Sequence, residues 1–197
     1  MKVLGITGPT GAGKTTALRE LEQMGAQMID ADAVYHQLLN ESVALREELE
    51  TRFGSMTGET GEFDRKKLGR IVFQDANALE DLNKIAHRHI VEKIRALLAQ
   101  AGQNGFALAA VDAIALFESG LAQLCDETIA VIAPPEVRIR RIMAREGISE
   151  EYARMRVEAQ NSDDFFTSHC GYTLCNDCQS QEEFGQKSRE LFQSLMR

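Results

Sequence analysis

Lys2-Val-Leu-Gly-Ile-Thr-Gly8-Pro-Thr-Gly11-Ala-Gly13-Lys14-Thr15-Thr16 is the stretch on which the fold turns. The apolar run from Val3 to Ile6 reads as a buried strand and Ala17-Leu-Arg-Glu-Leu21 opens a helical pattern, so the glycines occupy a strand-to-helix turn. Gly8-x4-Gly13-Lys14-Thr15 satisfies the spacing of a phosphate-binding loop in full. Backbone N–H groups can curl round an anion only where side chains are absent, and the helix N-terminus behind them adds about half a positive charge. In such a loop Lys14 reaches the β- and γ-phosphates and the Thr15 hydroxyl ligates Mg²⁺. A dinucleotide fingerprint is the nearest rival, since Asp30 and Asp32 follow at a distance suited to a ribose. It fails on spacing, because Thr16 stands where its third glycine belongs.

The 197 residues suffice for one α/β core with a small inserted subdomain. Lys and Arg total 22 against 30 Asp and Glu, and a net charge of −8 argues against nucleic acid held by bulk electrostatics. A polyanionic substrate would need locally concentrated basic residues. No apolar run approaches a membrane span, and Met1-Lys2 leads directly into a strand rather than a signal peptide, so a cytoplasmic protein is expected.

Outward from the loop, Leu18, Leu21 and Met24 continue the first helix to a stop at Gly25. Gln27-Met-Ile-Asp30 reads as a short strand that delivers Asp30-Ala31-Asp32 to the edge where parallel sheets bind ligands. A helical pattern from 33 to 49 follows, then a turn-rich interval from 53 to 64, and then helices over 65–73, 77–85 and 89–101. Phe106 to Asp112 and Glu127 to Ala133 read as buried strands, with a short helix opening at Leu116-Phe117-Glu118. Helices over 136–145 and 150–160, a last strand Tyr172 to Cys175 and a C-terminal helix over 182–196 complete the chain. Strands and helices alternate, which predicts an α/β fold: a P-loop NTPase-type parallel β-sheet flanked by helices.

Arg138, Arg141 and Arg145 fall three and four apart and share one helix face. Beside a phosphate loop they suit a lid that closes over transferring phosphates, Arg141 and Arg145 above all; the plainer alternative is a solvated face paired with Glu136, Glu146 and Glu150. His169-Cys170-x4-Cys175-x2-Cys178 has ligand types at spacings a zinc site can use. No second Cys-x2-Cys pair accompanies it, and free thiols are the expectation in a reducing compartment.

Further segments match one family in order. After the loop come Ile29-Asp30-Ala31-Asp32, Phe53-Gly54, Asp64-Arg65-x2-Leu68-x2-Ile71-Val72-Phe73 and His87-x2-Ile90. Asp112 with Leu116-Phe117-Glu118, Arg141-x3-Arg145, Arg156-x3-Gln160 and a late Asn176 follow. This order resembles that of the dephospho-coenzyme A kinases over almost the whole chain. The resemblance implies phosphorylation of the ribose 3′-hydroxyl of dephospho-coenzyme A by ATP with Mg²⁺, the last step of coenzyme A synthesis. Residue by residue it implies ATP binding by Gly8, Gly11, Ala12, Gly13, Lys14, Thr15 and Thr16, with Arg145 and, near the adenine, Asn176. Catalysis falls to Asp32 as the acid that orients or deprotonates the hydroxyl, with Lys14 and Arg141, and Thr15 is the Mg²⁺ ligand. Asp32, Arg65 and His87 bind the acceptor. It further implies one kinase domain: a core of residues 1–32 and 105–197 with a lid at about 136–160, and a helical acceptor-binding subdomain over 33–104. Small-molecule partners only, and a monomer or weak homo-oligomer, are expected.

The chain departs from that pattern at several places. His36 stands where the family commonly has Arg four residues after the base, Ile114-Ala115-Leu116 replaces Pro-Leu-Leu, and Arg88 replaces a Pro. Cys175 and Cys178 flank Asn176 where small or polar residues are usual. The long helical insertion and the Asp64-Arg65 and His87 segments argue against a phosphate-loop kinase for another small acceptor, such as a nucleoside monophosphate or a sugar acid, and a GTPase switch would need an Asn-Lys-x-Asp segment that the chain does not contain.

Overall fold

The computed structural model describes residues 1–56, 58 and 63–197. The chain divides into two compact units, Met1–Ile29 with Gln100–Arg197, and Asp30–Ala99.

The first unit is built on a five-stranded sheet: β1 (Lys2–Thr7), β2 (Gln27–Asp30), β3 (Leu108–Asp112), β4 (Glu127–Ile132) and β5 (Tyr172–Cys175), in the order β2-β3-β1-β4-β5. The β1–β3, β1–β4 and β4–β5 pairs are parallel, with Ile6 opposite both Asp112 and Ile129. Val3 to Thr7 are buried without alternation, as expected of a strand covered on both faces. From β1 the chain leaves toward the β2 side and from β4 toward the β5 side. The carboxyl ends of these two adjacent strands therefore border a topological switch point, where open α/β sheets hold their ligands.

Helices α1 (Lys14–Gln23) and α9 (Gln181–Leu195) pack on this sheet through Ala17, Leu21, Phe184 and Phe192, which join Leu4, Ile6, Ile129 and Val131 in one core. Each large side chain fully withdrawn from water there contributes about 1.5–3 kcal/mol. Helices α6 (Pro135–Glu146) and α7 (Glu150–Glu158) close on a small core of their own, Ile139, Ile142, Ala153 and Val157.

The second unit is helical: α2 (Ala31–Glu41), α3 (Val43–Phe53), α4 (Arg65–Val72) and most of α5 (Ala76–Gln103). Leu39, Leu45, Leu49, Met56, Leu68, Val72 and Ala78 form its core.

Several elements differ from the expectation. The 33–49 pattern is two helices, broken at Ser42, whose extended backbone (φ −86°, ψ 107°) lets its side chain accept the Leu45 N–H at 3.2 Å and start α3. The helices expected over 77–85 and 89–101 are one, α5, because nothing between Ala86 and His89 breaks a helix. Leu116-Phe117-Glu118, expected to open a helix, lies in turns that span 114–119, ahead of a 3₁₀ turn at Leu121–Leu124. Helix α8 (Asp163–His169) was not anticipated. Part of the turn-rich 53–64 interval lies outside the described residues.

Candidate active site

The loop after β1 is shaped by close approach. Gly8 (φ 139°) lies so near β4 that a Cβ would stand 2.0 Å from the Val131 carbonyl oxygen, and a Cβ on Gly13 (φ 109°) would stand 2.2 Å from Asn176 Nδ2. Neither position tolerates a side chain.

Three successive carbonyls of the loop are held from outside. Thr10 O accepts from Arg138 Nε at 3.0 Å, Gly11 O and Ala12 O each accept from an Arg141 guanidinium nitrogen at 3.2 Å, and Ala12 O also accepts from Asn176 Nδ2 at 2.8 Å. Arg141 in turn donates to Asn176 Oδ1 at 3.2 Å. Burial pulls the pKa of both Arg138 and Arg141 below its ordinary value, yet guanidinium keeps its proton in proteins. With the loop carbonyls engaged by cationic and amide donors, α1 starts at Lys14 with no side chain capping it. The first amides of a helix have no partner within it. An uncapped start preceded by a glycine loop is the donor set a polyphosphate requires, so the residues fit ATP.

Lys14 Nζ lies 3.8 Å from Asp112 Oδ1 at the end of β3. The Thr15 hydroxyl is exposed and has no hydrogen-bond partner among the described residues, whereas the Thr16 hydroxyl accepts from Gln181 Nε2 at 3.0 Å. A free hydroxyl at Thr15 with an acid at the neighbouring strand end is a donor set suited to Mg²⁺.

The site residues of the helical unit form their own group. Asp30 is the N-cap of α2, its side chain accepting the Asp32 and Ala33 N–H groups at 2.8 and 3.1 Å. Asp32 is left with its side chain 85% exposed, in the first turn of a helix whose positive end favours a carboxylate. His36 Nε2 stands 3.5 Å from Asp32 Oδ2, and His36 Nδ1 meets Arg65 NH1 at 3.0 Å. Arginine only donates, so Nδ1 accepts and the neutral ring carries its hydrogen on Nε2, toward Asp32. Arg65 also donates to Asn40 Oδ1 at 2.9 Å. His87 lies half-buried on α5.

Arg145 does not join the loop; it donates to Glu146 at 2.6 Å, and Glu146 also takes Arg156. Glu136 pairs with Arg154. The arginine face thus divides, with 138 and 141 on the loop and 145 in a surface pair. The four cysteines are free thiols, and no group of three or more His, Cys, Asp or Glu among the described residues could hold a metal ion, so the zinc spacing is not assembled into a site. His169 instead donates from Nδ1 to Phe165 O and packs, tilted, against the rings of Phe117 and Phe165. Burial pushes the Cys125 thiol up to about 12 and the Cys170 thiol up to about 11.

The family model for dephospho-CoA kinase matches residues 2–182. A dephospho-CoA kinase of Dehalococcoides mccartyi is 34% identical over 183 residues, 92% of each chain. The solved dephospho-CoA kinase from Campylobacter jejuni superposes with a TM-score of 0.72 at 26% identity, covering 100% of this chain and 98% of that one. A shikimate kinase from Bacteroides thetaiotaomicron shares the fold, with a TM-score of 0.55 at 15% identity over 99% and 98% of the two chains. The chain therefore belongs to the dephospho-CoA kinase family, a P-loop kinase that takes ATP as its phosphoryl donor.

Proposed function

We propose that the chain transfers the γ-phosphoryl of ATP to the ribose 3′-hydroxyl of dephospho-CoA, giving CoA and ADP. The observation that carries this is the uncapped start of α1 behind a loop whose carbonyls are occupied by Arg138, Arg141 and Asn176, in a chain of this family. Loose phosphoryl transfer asks for charge neutralisation and alignment more than covalent help. Lys14 neutralises the β- and γ-oxygens, and the loop amides hold them in line. Thr15, with Asp112 at the neighbouring strand end, would hold Mg²⁺, which would supply further neutralisation. Arg141 acts through the loop carbonyls it grips, and Arg145 and Asn176 belong to the nucleotide side.

Asp32 accepts the hydrogen bond of the attacking hydroxyl and fixes its direction; the proton leaves through that carboxylate as the new P–O bond forms. Its place two residues beyond β2 supports this role, since ligands in such sheets lie beyond strand carboxyl ends. Arg65 and His87 bind the acceptor within a helical subdomain of about residues 33–104, and 136–160 act as the lid. The proposal is of a cytoplasmic enzyme working on small molecules as a monomer or weak homo-oligomer; among the described residues no helix is long and apolar enough to cross a membrane.

The test is coupled ADP release with dephospho-CoA, shikimate and adenosine monophosphate as acceptors. Dephospho-CoA is expected to stimulate ATP turnover and to yield CoA. Stimulation by another acceptor, with none by dephospho-CoA, overturns the proposal.

A further inference from the structure

Every polar atom of Thr10, in the middle of the phosphate loop, is bound by two side chains from beyond β4. Gln160 Oε1 accepts the Thr10 N–H at 3.0 Å and Arg138 NH2 at 2.6 Å, Gln160 Nε2 donates to Thr10 Oγ1 at 2.8 Å, and Arg138 Nε donates to Thr10 O at 3.0 Å. The orientation of the Gln160 amide follows from its partners: a backbone N–H and a guanidinium can only donate, so the atom facing them is oxygen. Arg138 is 3% exposed, and its far side lies 3.7 Å from Asp163 Oδ1, which balances its charge.

The Thr10 N–H is spent on a side chain and is not a phosphate donor. Thr10 serves as a fixed post from which the following peptides, Gly11 to Lys14, are aimed. We propose that Gln160, with Arg138, is a positioning residue for the nucleotide: it sets the conformation of the phosphate loop while touching neither ATP nor acceptor. Gln160 stands two residues beyond α7, so the post also ties the α6–α7 hairpin to the loop.

This inference rests on the loop being the ATP site but is independent of the acceptor, so it is tested by ATP affinity measured calorimetrically without acceptor. Gln160→Met keeps the side-chain volume and removes three hydrogen bonds, so ATP affinity should fall about tenfold or more. KM for ATP should rise in parallel, with kcat at saturating ATP changing far less. Thr10→Val removes only the hydroxyl, whose partner is Gln160, and should weaken ATP binding about two- to fivefold. In the Gln160→Met background the same change should add nothing, whereas Thr10→Ser alone should bind ATP as the parent does. Unchanged ATP affinity in Gln160→Met with only a lowered melting temperature, or additive effects of the two substitutions, overturns the proposal. Failure of dephospho-CoA as acceptor leaves these binding outcomes untouched.

Discussion

At the scale of single residues, the glycine spacing alone revealed the phosphate loop, because a left-handed turn and an anion cradle both exclude side chains. Gly13→Ala should be severe: the conformation is strained and the new methyl would meet the Asn176 amide at 2.2 Å, displacing the group that holds Ala12 O. ATP affinity should fall by about two orders of magnitude, read by calorimetry; strain and a buried clash together exceed roughly 3 kcal/mol. The partners of the loop were not legible in the same way. Arg138, Gln160 and Asn176 act on backbone atoms 128, 150 and 164 residues away, and backbone donors and acceptors leave no mark in sequence. The arginine spacing predicts one shared face but cannot say that Arg141 turns to the loop while Arg145 pairs with Glu146. The replacement of the family Arg by His36 also finds a physical setting, since Arg65 reaches the ring that faces Asp32.

At the scale of elements, apolar runs located all five strands, whereas helix boundaries depended on caps that were easier to overlook. Ser42 ends one helix and starts another, and Ser162, followed by two acids, carries an equally plain start signal for α8 that the apolar periodicity around it obscured. Ser42→Ala should cost about 1 kcal/mol. That loss should appear as a lower urea midpoint with an unchanged slope, because the cap holds the backbone of α3 without altering the surface exposed on unfolding. The continuity of α5 follows from what its middle lacks: Ala86-His87-Arg88-His89 contains no glycine or proline to stop it.

At the scale of the whole molecule, the helical unit carries an ionic joint that gives it a pH signature. Glu48 on α3 accepts from His89 Nε2 at 2.9 Å and from Arg88 on α5, and these bonds, His89 first, hold its carboxyl below its ordinary pKa. A carboxylate with a depressed folded pKa contributes stability that is present above the unfolded value, about 4.3, and is lost as pH falls through the folded value. Glu136 and Glu146 in the other unit are depressed by their arginines in the same sense. Wild type should therefore lose stability on acidification below about pH 4.3, and Glu48→Gln should lose less over the same interval, read as urea midpoints at neutral and acid pH. An equal loss in the two proteins would remove Glu48 from this role.

The proposed roles of the phosphate loop in holding ATP and of the Asp32 carboxylate in transfer are most directly tested by Asp32→Asn, assayed for ATP binding and for single-turnover phosphorylation of dephospho-CoA on the same preparation. ATP affinity should stay within about twofold of wild type, while the transfer rate falls by roughly 10²–10⁴, the range for losing a positioned general base. Transfer at a near wild-type rate would contradict the assignment and move the acceptor of the hydroxyl proton to another residue.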